Sequence, residues 1–154
     1  MTGGNKIEKS LFELIQVAAG NRSALSSVPT QQEWQQLYGL LSKHTLLGIG
    51  YVAIQKLPKE QWPPKMLVLK WTSVATAISY QNKTLNEECK SLCEEFRHEG
   101  VASVVIKGQS NLENYLEELR WYRTPGDIDL WCEARNGVDI GEMVNGEVVK
   151  SEFH

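Results

Sequence analysis

The stretch RTPGDIDLW, residues 123–131, sets two aspartates two positions apart in an otherwise apolar run, directly after Pro125-Gly126. Successive side chains of a strand alternate between faces. A strand here therefore projects Asp127 and Asp129 together and sends Ile128 and Leu130 into the opposite layer. Two neighbouring carboxylates repel, and burying them unpaired is costly or raises a pKa. A divalent cation removes that cost, because Mg²⁺ is held by a few carboxylates together with waters and substrate phosphates. A pair of such ions can activate an attacking oxygen and stabilise a leaving one. Asp-x-Asp alone is common, and a solvated sheet edge is the plainer reading of it. Three neighbours weigh the other way: apolar flanks that root the strand in a core, Gly126 for close backbone approach, and Arg123 as a cation able to hold a phosphate.

A second feature lies upstream. VVIKGQSN ends a β-branched run at Lys107-Gly108 and opens toward Gln109-Ser110. Free N–H groups at a helix start attract anions, and a glycine lets a phosphate come close. Lys107 adds a positive charge and Ser110 a hydroxyl. The Gly-x-x-x-x-Gly-Lys pattern of a P-loop is absent. By itself the segment reads as a capped strand-to-helix turn. With the acidic pair downstream, it supplies a phosphate cradle to go with a seat for a metal.

The rest of the chain reads as helices followed by strands. Ile7, Leu11, Leu14, Ile15 and Ala18 share one helical face, with Gly20 as a stop. Thr30 and Glu33 have the spacing of a capping box ahead of Trp34, Leu37, Tyr38 and Leu41. HTLLGIGYVAIQKL is a shorter helical segment closed by Pro58. From Pro63-Pro64 to Gly100 the spacing predicts one long helix, with Met66, Leu69, Ser73, Thr76, Ile78, Leu85, Cys89, Leu92 and Phe96 along it. VASVVIKG predicts a strand, QSNLENYLEELRW a helix, and DIDLWCE a second strand. Asn145-Gly146 predicts a hairpin in the last segment. Trp34, Trp71 and Trp131 are expected in the core. The fold class expected is α+β, with residues 1–100 a helical N-terminal region packing on a core of residues 101–154.

At 154 residues the chain is the size of one ordinary domain. Hydrophobic residues at 42% and charged residues at 23% describe a soluble globular protein. A net charge of -3 argues against nucleic acid as a partner, which calls for a basic surface. Cys89, Cys93 and Cys132 are too few and odd in number for a disulfide framework, and with no signal peptide or membrane span in the sequence they point to the cytoplasm. Cys89 and Cys93, with His98 nearby, read as core cysteines rather than a metal site. His44 reads as a cap or surface residue.

A strand, a glycine turn, a helix and an Asp-x-Asp strand resemble the nucleotidyltransferase fold of the DNA polymerase β superfamily. VIKGQSN followed by RTPGDIDLW is similar to one branch, an uncharacterised bacterial nucleotidyltransferase family with a Lys-Gly turn and an Arg-x-x-Gly-Asp-Ile-Asp strand. KHTLLGIGYVAIQKLP and EFRHEGV resemble its helical part, so the resemblance covers roughly Gln31 to Trp131. It implies a small mixed sheet ordered strand-helix-strand-hairpin. It also implies two Mg²⁺ ions on Asp127 and Asp129 with a third carboxylate, for which Glu152 is the first candidate and Glu147 and Glu133 are weaker ones. Gly108 and Ser110 would cradle the β- and γ-phosphates of an NTP, with ATP the expected nucleotide. Lys107 and Arg123 would contact phosphate or substrate. The implied reaction moves a nucleoside monophosphate to an acceptor hydroxyl of a sugar, small molecule or protein. The departures are Ser110 one place late, LEELRWY before Arg123, and an end at His154 where relatives continue, which reads as a truncated member or a degraded copy. The alternative is an inactive copy that keeps the fold as a binding module; one half of a toxin–antitoxin pair is a weaker third reading.

Overall fold

The computed structural model describes residues 3–134. Four α-helices come first: α1 (Gly3–Ala18), α2 (Gln31–Lys43), α3 (Leu47–Lys56) and α4 (Lys65–His98). Two strands follow, β1 (Val101–Val105) and β2 (Leu130–Ala134), with a 3-10 helix over Gly108–Asn114 between them. The class is α+β, a helical N-terminal region followed by a small sheet. The Asn145-Gly146 hairpin lies outside the described residues. Among these no helix is long and apolar enough to cross a membrane. The chain forms two compact units. One comprises the described residues to Lys83 with Leu112–Pro125, the other Thr84–Asn111 with the described residues from Gly126 on.

The first unit is built on helix stripes. Ile7, Leu11, Leu14, Val17 and Ala18 of α1 are buried with Trp34, Leu37 and Leu41 of α2 and with most of α3. The capping box at the start of α2 is complete: the Thr30 hydroxyl accepts from the Glu33 N–H at 3.2 Å, and the Glu33 carboxylate accepts from the Thr30 N–H at 2.7 Å. These bonds satisfy two donors that a helix start leaves open. Trp71 stands edge-on to Trp34 and Tyr38, with ring centroids 6.2 and 5.2 Å away. Its indole N–H donates to the Leu47 carbonyl at 2.7 Å, so a bulky aromatic is buried without an orphaned donor. His44 is the exposed C-cap of α2.

Three expectations change. On α4 the buried positions in this unit are Trp71, Ala75, Ile78 and Asn82, while Met66 and Leu69 are 76% and 55% exposed. The stripe is set by Trp71, and Met66 and Leu69 fall outside its arc. Second, the predicted helix over 109–121 is a 3-10 helix followed by turns, held mainly by bonds three apart, Tyr115 N–H to Leu112 O, Leu119 N–H to Leu116 O and Tyr122 N–H to Leu119 O, with an α-type bond from Arg120 N–H to Leu116 O. Bonds three residues apart do not keep a continuous α-helical face. Only Leu112 and Leu119 are buried, and Tyr115 and Leu116 are left out. Third, Trp131 is 46% exposed and not a core residue.

The second unit explains Trp131. β1 and β2 pair antiparallel, with Val104 opposite Trp131, Ser103 opposite Cys132 and Val105 opposite Leu130. Directly opposed residues share a face. Val101, Ser103, Val105, Leu130 and Cys132 form the face that meets α4, where burial and then Cys93 push the Cys132 thiol pKa up. Trp131 belongs to the other face with Val104, and the sheet's alternation leaves it there whatever its hydrophobicity.

Two outcomes test the first unit. A Cβ on Gly48 would lie 2.0 Å from the Tyr122 carbonyl oxygen, a backbone atom with little room to yield. Gly48→Ala should lower the melting temperature by about 5 °C or more in a calorimetric scan. Glu13 is buried, which pushes its pKa up, yet the Ser26 hydroxyl and N–H with Arg22 and Lys9 outweigh this and hold it below the ordinary value. A depressed folded-state pKa gives stability that is present above the unfolded value and lost as pH falls through the folded one. Glu13→Gln should therefore be less stable than the parent at neutral pH in urea titrations, with the gap closing as pH drops below about 4.

Candidate functional site

β1 leads straight into the Lys107-Gly108 turn. Its last ladder bond runs from the Ile106 N–H to the Asp129 carbonyl at 3.0 Å, one residue before β2 begins. Gly108 then takes φ +65, a left-handed conformation that a glycine adopts without penalty, and the chain leaves the ladder. This is why β2 starts at Leu130 and not at Asp127 as the alternation predicts. Asp129 is fixed by the last rung, while Asp127 has no β1 residue opposite it and lies in the exposed lead-in.

The turn meets the second of the two acids. Lys107 Nζ lies 3.2 Å from Asp129 Oδ1, with side chains 65% and 36% exposed. A half-exposed ion pair of this kind is weak and easily exchanged for another partner. An anion arriving at the turn can attract Lys107, and the released Asp129 carboxylate can take a cation. Asp127 and Asp129 are hard oxygen donors of the type Mg²⁺ prefers, and Mg²⁺ needs only one or two carboxylates when phosphates and waters complete its shell. The donor set therefore fits the ion.

The other expected residues divide. Ser110 is exposed and opens onto a groove of about 300 Å³ that it shares with Gln109, Lys90, Cys93 and Arg97; Asp129 is not among the residues lining it. Arg123 belongs to the first unit. Its backbone carbonyl accepts from the Asn82 side-chain amide, which also donates to Trp121 O at 3.1 Å and Ile78 O at 3.2 Å. Its guanidinium Nη1 is buried with no hydrogen-bond partner among the described residues. Glu152, the first candidate for a third carboxylate, and Glu147 lie outside the described residues. Glu133 is exposed in β2 opposite Ala102. It shares the face of Asp129 but sits four residues on, roughly 13 Å along the strand, too far to share an ion.

Asn82 escaped the sequence reading. The available signal was a polar residue in the buried arc of a long helix, four after Ile78 and seven before Cys89. Cys89 is buried, while Cys93 and Cys132 are half-buried. All three are free, and burial first and Cys93 second raise the pKa of both Cys89 and Cys132. Among the described residues no group of three or more His, Cys, Asp or Glu side chains is placed to hold a metal.

If Lys107 serves a ligand and not the fold, Lys107→Ala should cost less than about 1 kcal/mol in urea unfolding. A larger loss would make it a structural residue.

Residues 30–140, well over half of the chain, match the family described as uncharacterised nucleotidyltransferase. No curated protein and no solved structure matches the chain. With the Lys-Gly turn and the Asp-x-Asp segment joined through Lys107 and Asp129, and the family matched across both, the chain belongs to this nucleotidyltransferase family.

Proposed function

We propose that the protein transfers a nucleoside monophosphate from an NTP, foremost ATP, to the hydroxyl of a sugar, small molecule or protein, in an Mg²⁺-dependent reaction. The observation that carries this reading is the 3.2 Å approach of Lys107 to Asp129 across a turn whose next residue is a left-handed glycine. In this reading Asp127 and Asp129 hold the Mg²⁺, which when bound neutralises charge on the phosphates and on the leaving group. Lys107 moves from Asp129 to the phosphates. Gly108, lacking a side chain, lets them approach the backbone, and the Ser110 hydroxyl adds a donor. The acceptor oxygen attacks the α-phosphorus, the bond to the bridging oxygen breaks, and pyrophosphate leaves. The acceptor proton passes to a carboxylate of the pair. The chain's own contribution is positioning and charge placement. A net charge of -3 favours small or protein acceptors over nucleic acid.

The test is a screen for labelled nucleotide transfer, paired with calorimetric titration of Mg·ATP. Asp127→Asn and Asp129→Asn should each reduce transfer by about a hundredfold or more and weaken Mg·ATP binding, with EDTA abolishing both. Unchanged thermal stability with every NTP and Mg²⁺ would instead make the protein a binding module that keeps the fold without the chemistry.

A further inference from the structure

The sheet face that carries Asp129 has an apolar surface facing away from α4. Val104, Ile106 and Trp131 are 55%, 56% and 46% exposed. The register fixes their arrangement. Val104 lies opposite Trp131, and Ile106 comes opposite Asp129 through the last ladder bond. Trp131 follows Asp129 by two residues on the same face, roughly 7 Å along the strand. The order on this face is therefore a cation from Lys107, a carboxylate, and then an indole bordered by two β-branched side chains. A half-exposed indole offers a broad flat surface, which suits a flat partner.

Building on the function proposed above, we infer that Trp131 is the platform for the nucleobase, which stacks on the exposed indole between Val104 and Ile106. A nucleotide is polar at its phosphate end and flat at its base end, one ribose apart. The face has the same sequence of chemistries at a matching spacing. With the phosphates held at Lys107 and Asp129, the ribose spans to Trp131 and the base covers it. Stacking accepts any base, since every base has a π-face, so this platform contributes affinity for a nucleotide without choosing among bases. Trp131 is a binding residue and takes no part in bond making.

Calorimetric titration with two ligands, Mg·ATP and Mg·inorganic triphosphate, separates the base from the phosphates. Trp131→Ala should weaken ATP about tenfold and leave triphosphate within about twofold, whereas Trp131→Phe, which keeps a ring, should retain most of the ATP affinity. Quenching of tryptophan fluorescence by ATP should fall in Trp131→Phe. Equal weakening of both ligands by Trp131→Ala overturns the inference, because the indole would then be supporting the strand. No effect of Trp131→Ala, with Asp129→Asn weakening both ligands, also overturns it and leaves the phosphate site standing, assigning the apolar face to another occupant such as the acceptor or a protein. Failure of the parent chain to bind either ligand, or indifference of both ligands to Asp129→Asn, overturns the site reading and the platform with it.

Discussion

The pairing of Ile106 with Asp129 is the rung on which the second unit turns. It is the last bond of a short ladder, and it settles the parity of every side chain on β2. Because it holds, Leu130 and Cys132 face the helix while Asp129 and Trp131 face away. Moving the pairing by one residue would bury a carboxylate and expose a thiol. The arrangement is thus over-determined by the cost of burying charge as much as by the gain from burying carbon. The same rung marks where order in the strand ends. Asp129 has a backbone partner and, among the described residues, Asp127 has no strand residue opposite it, so the two acids begin from different degrees of restraint.

The first unit rests on close approach more than on bulk. Gly48 lets the Tyr122 carbonyl come within reach of α3, and Gly50 lies against Trp71 and Leu41 with no space for a methyl group. Asn82, fully buried, donates to the carbonyls of Trp121 and Arg123. Turns rarely bring their own hydrogen-bond donors inside, so a helix side chain supplies them. The segment 115–122 is held in this way although it has no α-helix of its own.

Much of this was legible in the residues. Thr30 and Glu33 announced the α2 start because a capping box is a local device whose partners are three residues apart. Gly100, at φ +78, marked the end of α4 for a similar reason. The Lys-Gly turn and the Asp-x-Asp run were recognisable as a pair, though their 3.2 Å meeting depends on an antiparallel register that no local signal encodes. Trp131 was misplaced because its chemistry argues for a core, while its face is decided by a partner strand some thirty residues away in sequence. Asn82 was missed for the opposite reason: polarity argued for solvent, and the carbonyls that need it lie about forty residues downstream. The 109–121 segment has a helical period in its leucines, but i to i+3 bonding won over that period after the left-handed Gly108.

β1 is bracketed by Gly100 at φ +78 and Gly108 at φ +65. Each is a position where a side chain pays a steric penalty of roughly 1 kcal/mol, so the two act as fixed stops at either end of the strand. Sliding the strand to absorb an inserted or deleted codon would drag Glu99, Val101, Lys107 or Gln109 into a left-handed bend. Length in this segment is therefore harder to change than identity. A residue added or removed outside the two bends would be accommodated at less cost than one between them.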